Sequence, residues 1–404
     1  RKTVGKKPRI YVRVGLIELC EADKMETINP RSLNEISLEW LNAQAGLKIS
    51  THSDSGPRTG AETLASISAF KVETVGETAG FLGDICRVFL TWSVEGAGPS
   101  SIIAKFPTLR ASNLETGQGL LAYEREMKFY QHFSAECSLN PPKFYGGADV
   151  SGEGDYLLLM EDLAGARFVS QLDVLSSADT LACVRSLAAM HAQYWRAPKL
   201  GDSAGLYQFS DWAEIYEPVI RSGWPLFQQD FDVLIPDQMR PMFEPGNAAA
   251  GAIFKYFCER RPKTLLHGDA RIENFCFDAD SGEARAYDWQ LAAAGPGIYD
   301  LIYFFANSVA PETLFEEGEA LLKAYHASLV EGGVSDYSFD ELMRDGQLAA
   351  VLLFGFCSMV GNFLSNGGET EYAIVSATTP RYWGVCHFFK VEEIIHSLDS
   401  RLTE

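Results

Sequence analysis

His267, Asp269, Asn274 and Asp288 are the residues of this chain whose types and spacing could do chemistry. They lie in "TLLHGDARIENFCFDADSGEARAYDWQ", residues 264–290, around two short apolar runs. Such groups are costly in a core unless paired, and their order is too regular for a solvated loop. A carboxylate, a carboxamide oxygen and a second carboxylate suit a hard cation such as Mg2+, which takes oxygen ligands and fills its other positions with water and phosphate. They equally suit a base for a hydroxyl beside a metal cradle. Soft ligands are absent, so zinc is not implied. Taken singly, a loop Asp or Asn more often makes local backbone hydrogen bonds. The ordered set His-Gly-Asp, four residues, Asn, a strand turn and Asp is what points to function.

These side chains need elements to hold them. "TLLH" reads as a short buried strand, "GDARIEN" as a loop, "FCF" as a second strand, "DADSGE" as a turn and "ARAYDWQ" as a third strand. The turn folds Asp288 back beside Asn274. Upstream, "SLNEISLEWLNAQA" (32–45) has apolar positions at helical spacing behind a Ser cap, and "SDSGPRTG" is a loop. "AFKVETVG", "CRVFLTWSV" and "SSIIAKFP" read as strands, "NLETGQGLLAYEREMKFYQHF" as one helix and "DYLLLMEDL" as a buried strand. After Ser170 the chain is mostly helical. Helices are expected over "SADTLACVRSLAAMHAQYW" and near 211–222, 247–260, 311–330, 339–365 and 380–398, with strands only in the 264–290 stretch. The fold class is therefore α+β. An N-terminal extension (1–30) precedes a small β-rich lobe with its leading helix and hinge (31–163) and a larger helical lobe (164–404).

"HGDARIEN" followed by "YDWQ" resembles the catalytic loop and metal motif of the aminoglycoside phosphotransferase and choline kinase superfamily, relatives of the protein kinases. The likeness is greatest to the ecdysteroid kinase-like branch, where a Gln commonly follows the second motif, as Gln290 does here. The resemblance spans residues 33–390 and implies a protein kinase-like bilobal fold, ATP and Mg2+ as cofactors and a small-molecule hydroxyl as acceptor. On it Asp269 would be the catalytic base or hydroxyl-orienting group, Asn274 and Asp288 would hold Mg2+, and His267 would brace the loop.

The same resemblance asks for further parts upstream. "SIIAKFP" supplies Lys105 for the nucleotide phosphates, and a lysine inside an apolar strand is uncommon unless paired. "YEREMKFY" offers Glu124 and Glu126 as its partner. Glu124 is spaced for an exposed pair with Lys128, whereas Glu126 shares a face with Tyr123, Tyr130 and Phe133, and the family pattern also selects it. "GETAGFLGDICRV" brings Gly80 and Gly83 into a loose phosphate turn, a weak signal outside this context. "LLLMEDL" supplies a hinge whose backbone from Met160 through Glu161 to Leu163 would meet the adenine. Asp300 opens an apolar helix; an N-cap role nearly accounts for it, and the family has a loop-bracing Asp here. The departures from the family pattern are the loose glycine turn and Trp289 after the metal Asp.

The bulk numbers set outer limits. With 404 residues, 47% of them hydrophobic, the chain buries a large core and more than one domain is expected. A net charge of −20 argues against non-specific nucleic-acid binding and against anionic membrane surfaces. Eight scattered cysteines without a CxxC read as free thiols of a reducing compartment, hence a cytoplasmic expectation. No uninterrupted apolar run approaches a membrane span, and Arg13 interrupts the one candidate signal core. No oligomeric state follows.

The expected function is transfer of the γ-phosphoryl group of ATP to a substrate alcohol. A protein kinase fits less well: there is no D-F-G or A-P-E, and a short Gln290–Pro296 link stands where an activation segment would be. The alternative is a pseudokinase-like module that binds nucleotide or a partner without turnover. Tyr194, Trp195, Trp212, Tyr216 and Trp224 would furnish an aromatic box for a quaternary ammonium, or simply core. The acceptor stays open among aminoglycosides, sugars, steroid-like alcohols and hydroxyacyl compounds.

Overall fold

Strand alternation organises the first part of the chain. The computed structural model describes residues 35–51, 63–75, 82–150, 155–201, 206–364 and 368–398, with Pro30 and Leu402. Apart from Pro30, the expected extension over 1–30 lies outside the described residues, as does Gly80. A helix α1 (Leu38–Ala43) is capped by Ser37, whose Oγ accepts from the Trp40 amide at 3.1 Å. Strands β1 (Ile49–Thr51) and β2 (Thr63–Ala65) form a small antiparallel pair. Then come β3 (Ile67–Thr74), β4 (Gly83–Trp92), β5 (Ser101–Pro107), helices α2 (Ala111–Gly119) and α3 (Ala122–His132), β6 (Phe144–Val150) and β7 (Asp155–Glu161). Five of these strands make one antiparallel sheet in the order β3-β4-β5-β7-β6.

Successive strand residues point to opposite faces. Leu157 and Leu159 of β7, with Ile102, Ala104 and Phe106 of β5, join α1's Trp40 and Leu41 in a small apolar cluster. Tyr156, Leu158 and Met160 face the other way and join Tyr123, Met127 and Tyr130 of α3. Lys105 pairs across the ladder with Leu158 and so lies on the α3 side.

The single helix expected over 113–133 is two helices. Leu121 between them sits in the left-handed region at φ 48°, and Gly117 and Gly119 weaken the end of the first. Strand β6 was not legible from "FYGGADV". A Cβ on Gly147 would stand 2.2 Å from the Leu157 carbonyl oxygen, so the close ladder requires glycine there.

The second part comprises β8 (Arg167–Phe168), α4 (Ser177–Gln193), β9 (Tyr207–Gln208), α5 (Phe209–Phe231), α6 (Phe243–Arg260), β10 (Thr264–Leu266), β11 (Phe275–Phe277), β12 (Ala284–Ala286), β13 (Ala293–Gly295), α7 (Ile298–Ser308), α8 (Pro311–Glu331), α9 (Phe339–Leu364), α10 (Glu369–Phe388) and α11 (Val391–Ile394). The architecture is the expected α+β, with an antiparallel sheet first and a mainly helical part after it. Helix α5 runs well past the expected 222, through Pro218 and Pro225. Packing against α9 overrides the prolines: a Cβ on Gly223 would stand 2.0 Å from the Ser358 carbonyl oxygen, so the two backbones are in contact. Strands also occur outside the 264–290 stretch. β13 pairs with β10 and with β9, and β8 pairs with β11. Each is two or three residues long, too short to carry a period.

Within α9, Phe339–Asn362 is long and apolar enough to cross a membrane by length and composition, but 72% of its most apolar window is buried inside the fold. The seven described cysteines are free, and all but Cys258 are buried.

Candidate active site

The two ends of the fold meet at Lys105. Its Nζ donates to Glu126 Oε1 at 2.9 Å and to Asp288 Oδ1 at 2.8 Å, the latter across 183 positions of sequence. Lys105 and Glu126 are buried, whereas a third of the Asp288 side chain is exposed. Burial alone would push the Lys105 ammonium down, but Asp288 and Glu126 outweigh it and hold it above its usual range. Burial would also raise the Asp288 carboxyl, and Lys105 instead holds it below the usual carboxylate range. For Glu126 burial wins and the carboxyl is pushed up, although Lys105 and the Tyr156 hydroxyl, which donates to Oε2 at 2.8 Å, oppose it.

Of the two glutamates weighed for this lysine, only Glu126 reaches it. Glu124 leaves Oε2 buried with no hydrogen-bond partner. Gly83 opens β4 beside the lysine; a Cβ there would stand 3.1 Å from Lys105 Cε, so the glycine leaves room for that side chain.

The loop after β10 is held from below. Asp300 lies inside the first turn of α7, whose N-cap is Gly297, so it does not cap its own helix. Its Oδ2 accepts from the His267 amide at 2.7 Å and its Oδ1 from the Gly268 amide at 3.0 Å; the His191 ring adds a contact at 3.3 Å. His267 Nε2 lies 3.0 Å from the Tyr287 carbonyl, which can only accept, so Nε2 carries the proton and Nδ1 accepts from the Asp269 amide at 3.3 Å. Gly268 has φ +83°, and a Cβ there would stand 2.0 Å from the Leu291 carbonyl oxygen. Only glycine serves at that position. Asp300→Ala would orphan two buried amides and is expected to cost roughly 2–6 kcal/mol. Urea unfolding measures this, and a loss below about 1 kcal/mol would contradict the bracing role.

Asn274 turns its amide nitrogen to Asp269, donating to the backbone oxygen and to Oδ2, both at 2.9 Å. That leaves Asn274 Oδ1 as an acceptor. Arg271 Nε also binds Asp269 Oδ2, at 3.2 Å, so Oδ1 is the oxygen that takes neither bond. The Tyr287 amide donates to the Asn274 carbonyl at 2.9 Å, which brings Asp288 next to Asn274. Asp288 is not on a strand, as "ARAYDWQ" had read: β12 stops at Ala286 and Asp288 adopts φ +63°. Among the described residues no three His, Cys, Asp or Glu form a closed metal cage. The oxygens of Asn274 and Asp288 fit a hard cation that takes few protein ligands and completes its shell with phosphate and water.

Trp289, a departure from the family pattern, fills the gap between the loop and α3. Its ring stacks on Phe129 at 3.7 Å and 5° and lies 4.6 Å from the His267 ring. Phe129 is one turn beyond Glu126, so the Glu-bearing helix and the loop share one packed unit. No sequence period could have paired Phe129 with Trp289.

At the expected hinge, Glu161 spends its side chain on Arg285 at 2.6 and 3.1 Å and its amide on the Lys143 carbonyl. Burial would raise its carboxyl, but Arg285 and the Lys143 amide hold it low. The Leu163 carbonyl accepts from Ala166, and the Met160 sulfur accepts from the Tyr130 hydroxyl at 3.8 Å. Of the backbone groups expected to meet the adenine, the Glu161 amide and the Leu163 carbonyl are engaged internally.

The five aromatics do not converge. Tyr194 packs on Phe133, the Trp195 indole donates to Asp336, and Trp224 stacks on Phe243. Trp212 and Tyr216 alone are neighbours, 5.3 Å apart, and the box they help form holds Arg125.

A β-sheet with a buried Lys–Glu pair set against a helical part bearing the His-Gly-Asp loop defines the kinase-like class of folds. Solved structures of that class superpose on most of the chain. A choline kinase of Cryptosporidium parvum matches with TM-score 0.51 at 10% identity, over 83% of this chain and 94% of its own. An aminoglycoside phosphotransferase-like protein of Ralstonia eutropha matches with TM-score 0.50 at 16% identity, over 80% and 93%. Within that class, residues 249–334 match the Ecdysteroid kinase-like family. That segment contains Asp269, Asn274, Asp288 and Asp300, and it bears out the resemblance read from "HGDARIEN" and "YDWQ". No curated protein matches the chain by sequence.

Proposed function

We propose that the chain is an ATP- and Mg2+-dependent small-molecule kinase that phosphorylates a substrate hydroxyl. The observation that carries this reading is Lys105 bridging Glu126 and Asp288, beside a loop that fixes Asp269 through Asn274. MgATP, when bound, supplies the electrophilic γ-phosphorus and a cation that spreads its charge. Asn274 Oδ1 and Asp288 would hold that cation, and Lys105 would trade its Asp288 contact for phosphate oxygens. Asp269 Oδ1 would orient the substrate hydroxyl and take its proton as the new P–O bond forms and ADP departs. Catalysis is then mainly positioning in a preset field.

Calorimetry with MgATP tests the reading at its first step. Mg2+-dependent binding is expected, and a folded protein that binds neither MgATP nor MgGTP refutes it. One observation favours a binding module without turnover: Arg271 already holds an oxygen of Asp269. A protein that binds MgATP yet phosphorylates no member of a broad alcohol library would fit that second reading.

A further inference from the structure

Among the described residues, four buried side-chain polar atoms have no hydrogen-bond partner: Glu124 Oε2, Arg125 Nη1, Trp212 Nε1 and Gln290 Nε2. Buried polar groups are nearly always satisfied, so each of the four calls for a partner, whether water, ion or ligand. Arg125 and Trp212 form the pair of greatest interest. Arg125 is 2% exposed and Trp212 1%. The guanidinium carbon lies 3.8 Å from the centre of the Tyr207 ring and 6.0 Å from that of Trp212. Nε and Nη2 donate to the Leu120 carbonyl at 3.0 and 2.6 Å, and Nη1 is left over. No carboxylate pairs with it among the described residues. Burial lowers its pKa to about 10, and the groups that oppose this most are the phenols of Tyr216, Tyr207 and Tyr299. A buried cation without a counter-charge is unfavourable, and a hydrogen-bonded anion would offset part of that cost.

The place is next to the chemistry. Tyr216 feels the charge of Arg125 and that of Asp269. Trp212 packs 5.0 Å from Tyr299, whose neighbour Tyr303, 6.0 Å on, has its phenol pushed up by burial and then by Asp269. An acceptor reaching Asp269 from this side would meet Arg125 with its far end. The aromatic box considered for a quaternary ammonium already contains a cation of the protein's own, and like charge there repels.

We propose that Arg125 Nη1 and Trp212 Nε1 are the recognition site for a carboxylate on the acceptor, which makes the acceptor a hydroxy acid. Each donor takes one carboxylate oxygen, and the ligand hydroxyl extends toward Asp269. The Glu124 carboxylate acts on the Tyr207 phenol beside this site. This substrate class rests on the kinase reading, but the carboxylate site can be tested without it.

The test uses the full chain with matched alcohols: glycolate, lactate and longer ω-hydroxy acids, each against its primary amide and the corresponding amino alcohol. With MgATP, at least one acid is expected to exceed its amide about 100-fold or more in kcat/KM, since a site built for a polar group rejects the analogue lacking it. Arg125→Gln is expected to remove that preference while leaving calorimetric MgATP binding unchanged. Trp212→Phe, which keeps a ring and loses one N–H, is expected to lower the acid preference about tenfold, and it serves if Arg125→Gln does not fold. Amides or amino alcohols used as well as acids by a protein that binds MgATP would overturn the proposal. If MgATP does not bind, calorimetry of the acids alone decides. Acid binding lost in Arg125→Gln or Trp212→Phe keeps the site while the kinase reading falls, and no acid binding sinks both.

Discussion

Asp269→Asn is expected to lower kcat by roughly 10²–10⁴-fold, the range that one positioned proton acceptor contributes. Calorimetric affinity for MgATP should stay within about threefold, because in the proposed arrangement Asp269 touches the acceptor and not the metal. The substitution is nearly isosteric. Its carboxamide oxygen can take the place of Oδ2 and accept from Asn274 Nδ2 and Arg271 Nε, so the melting temperature is expected to fall by only a few degrees. A variant that keeps more than about a tenth of wild-type turnover would remove Asp269 from the mechanism. Equal loss of binding and turnover would assign it to holding the loop.

Asp288→Ala is expected to abolish the Mg2+ dependence of nucleotide binding, with a loss of at least about 100-fold in affinity. Groups one shell further out already cost 10–100-fold in metal affinity, and a ligand costs no less. The variant should still fold. Asp288 is a third exposed, and Lys105 keeps Glu126 as a partner at 2.9 Å. The Lys105 ammonium would then lose one of the two charges that hold it up against burial. Nucleotide binding without Mg2+ should change little between the two proteins, which separates metal loss from phosphate loss. Undiminished Mg2+-dependent binding in Asp288→Ala would place the metal elsewhere.

Much of the fold was legible because its strands carry a clean signal. β3, β4, β5 and β7 are long, β-branched or aromatic, and bounded by turn residues, and all four lie where the pattern put them. The misses have separate physical causes. Leu121 in the left-handed region breaks one expected helix into α2 and α3, and a leucine gives no warning of a positive φ. The helix expected near 211–222 continues to Phe231, because close packing of α5 on α9 through Gly223 carries it past Pro225. Strands β8, β9 and β13 exist because partners pair with them, not because two or three residues prefer extension.

The sequence by itself determined which residues could act. His267, Asp269, Asn274 and Asp288 are separated by a loop and a hairpin, so local spacing was enough to bring them near one another. It also singled out Lys105 and Glu126, because a charge on an apolar face demands a partner. What only the tertiary structure decided is which partners those charges take. Lys105 joins Asp288 across 183 positions, and no local pattern encodes a contact of that span. For Asp300, expected as structural support with a helix cap as the simpler reading, the fold decided that the buried donors it takes are the His267 and Gly268 amides. Arg125 is flanked by two glutamates in "YEREMKFY", yet the packing of α3 against β9 and α5 buries it without either. Local sequence sets conformation and periodicity over a few residues, whereas the pairing of buried charges is settled when distant surfaces close on one another and exclude water.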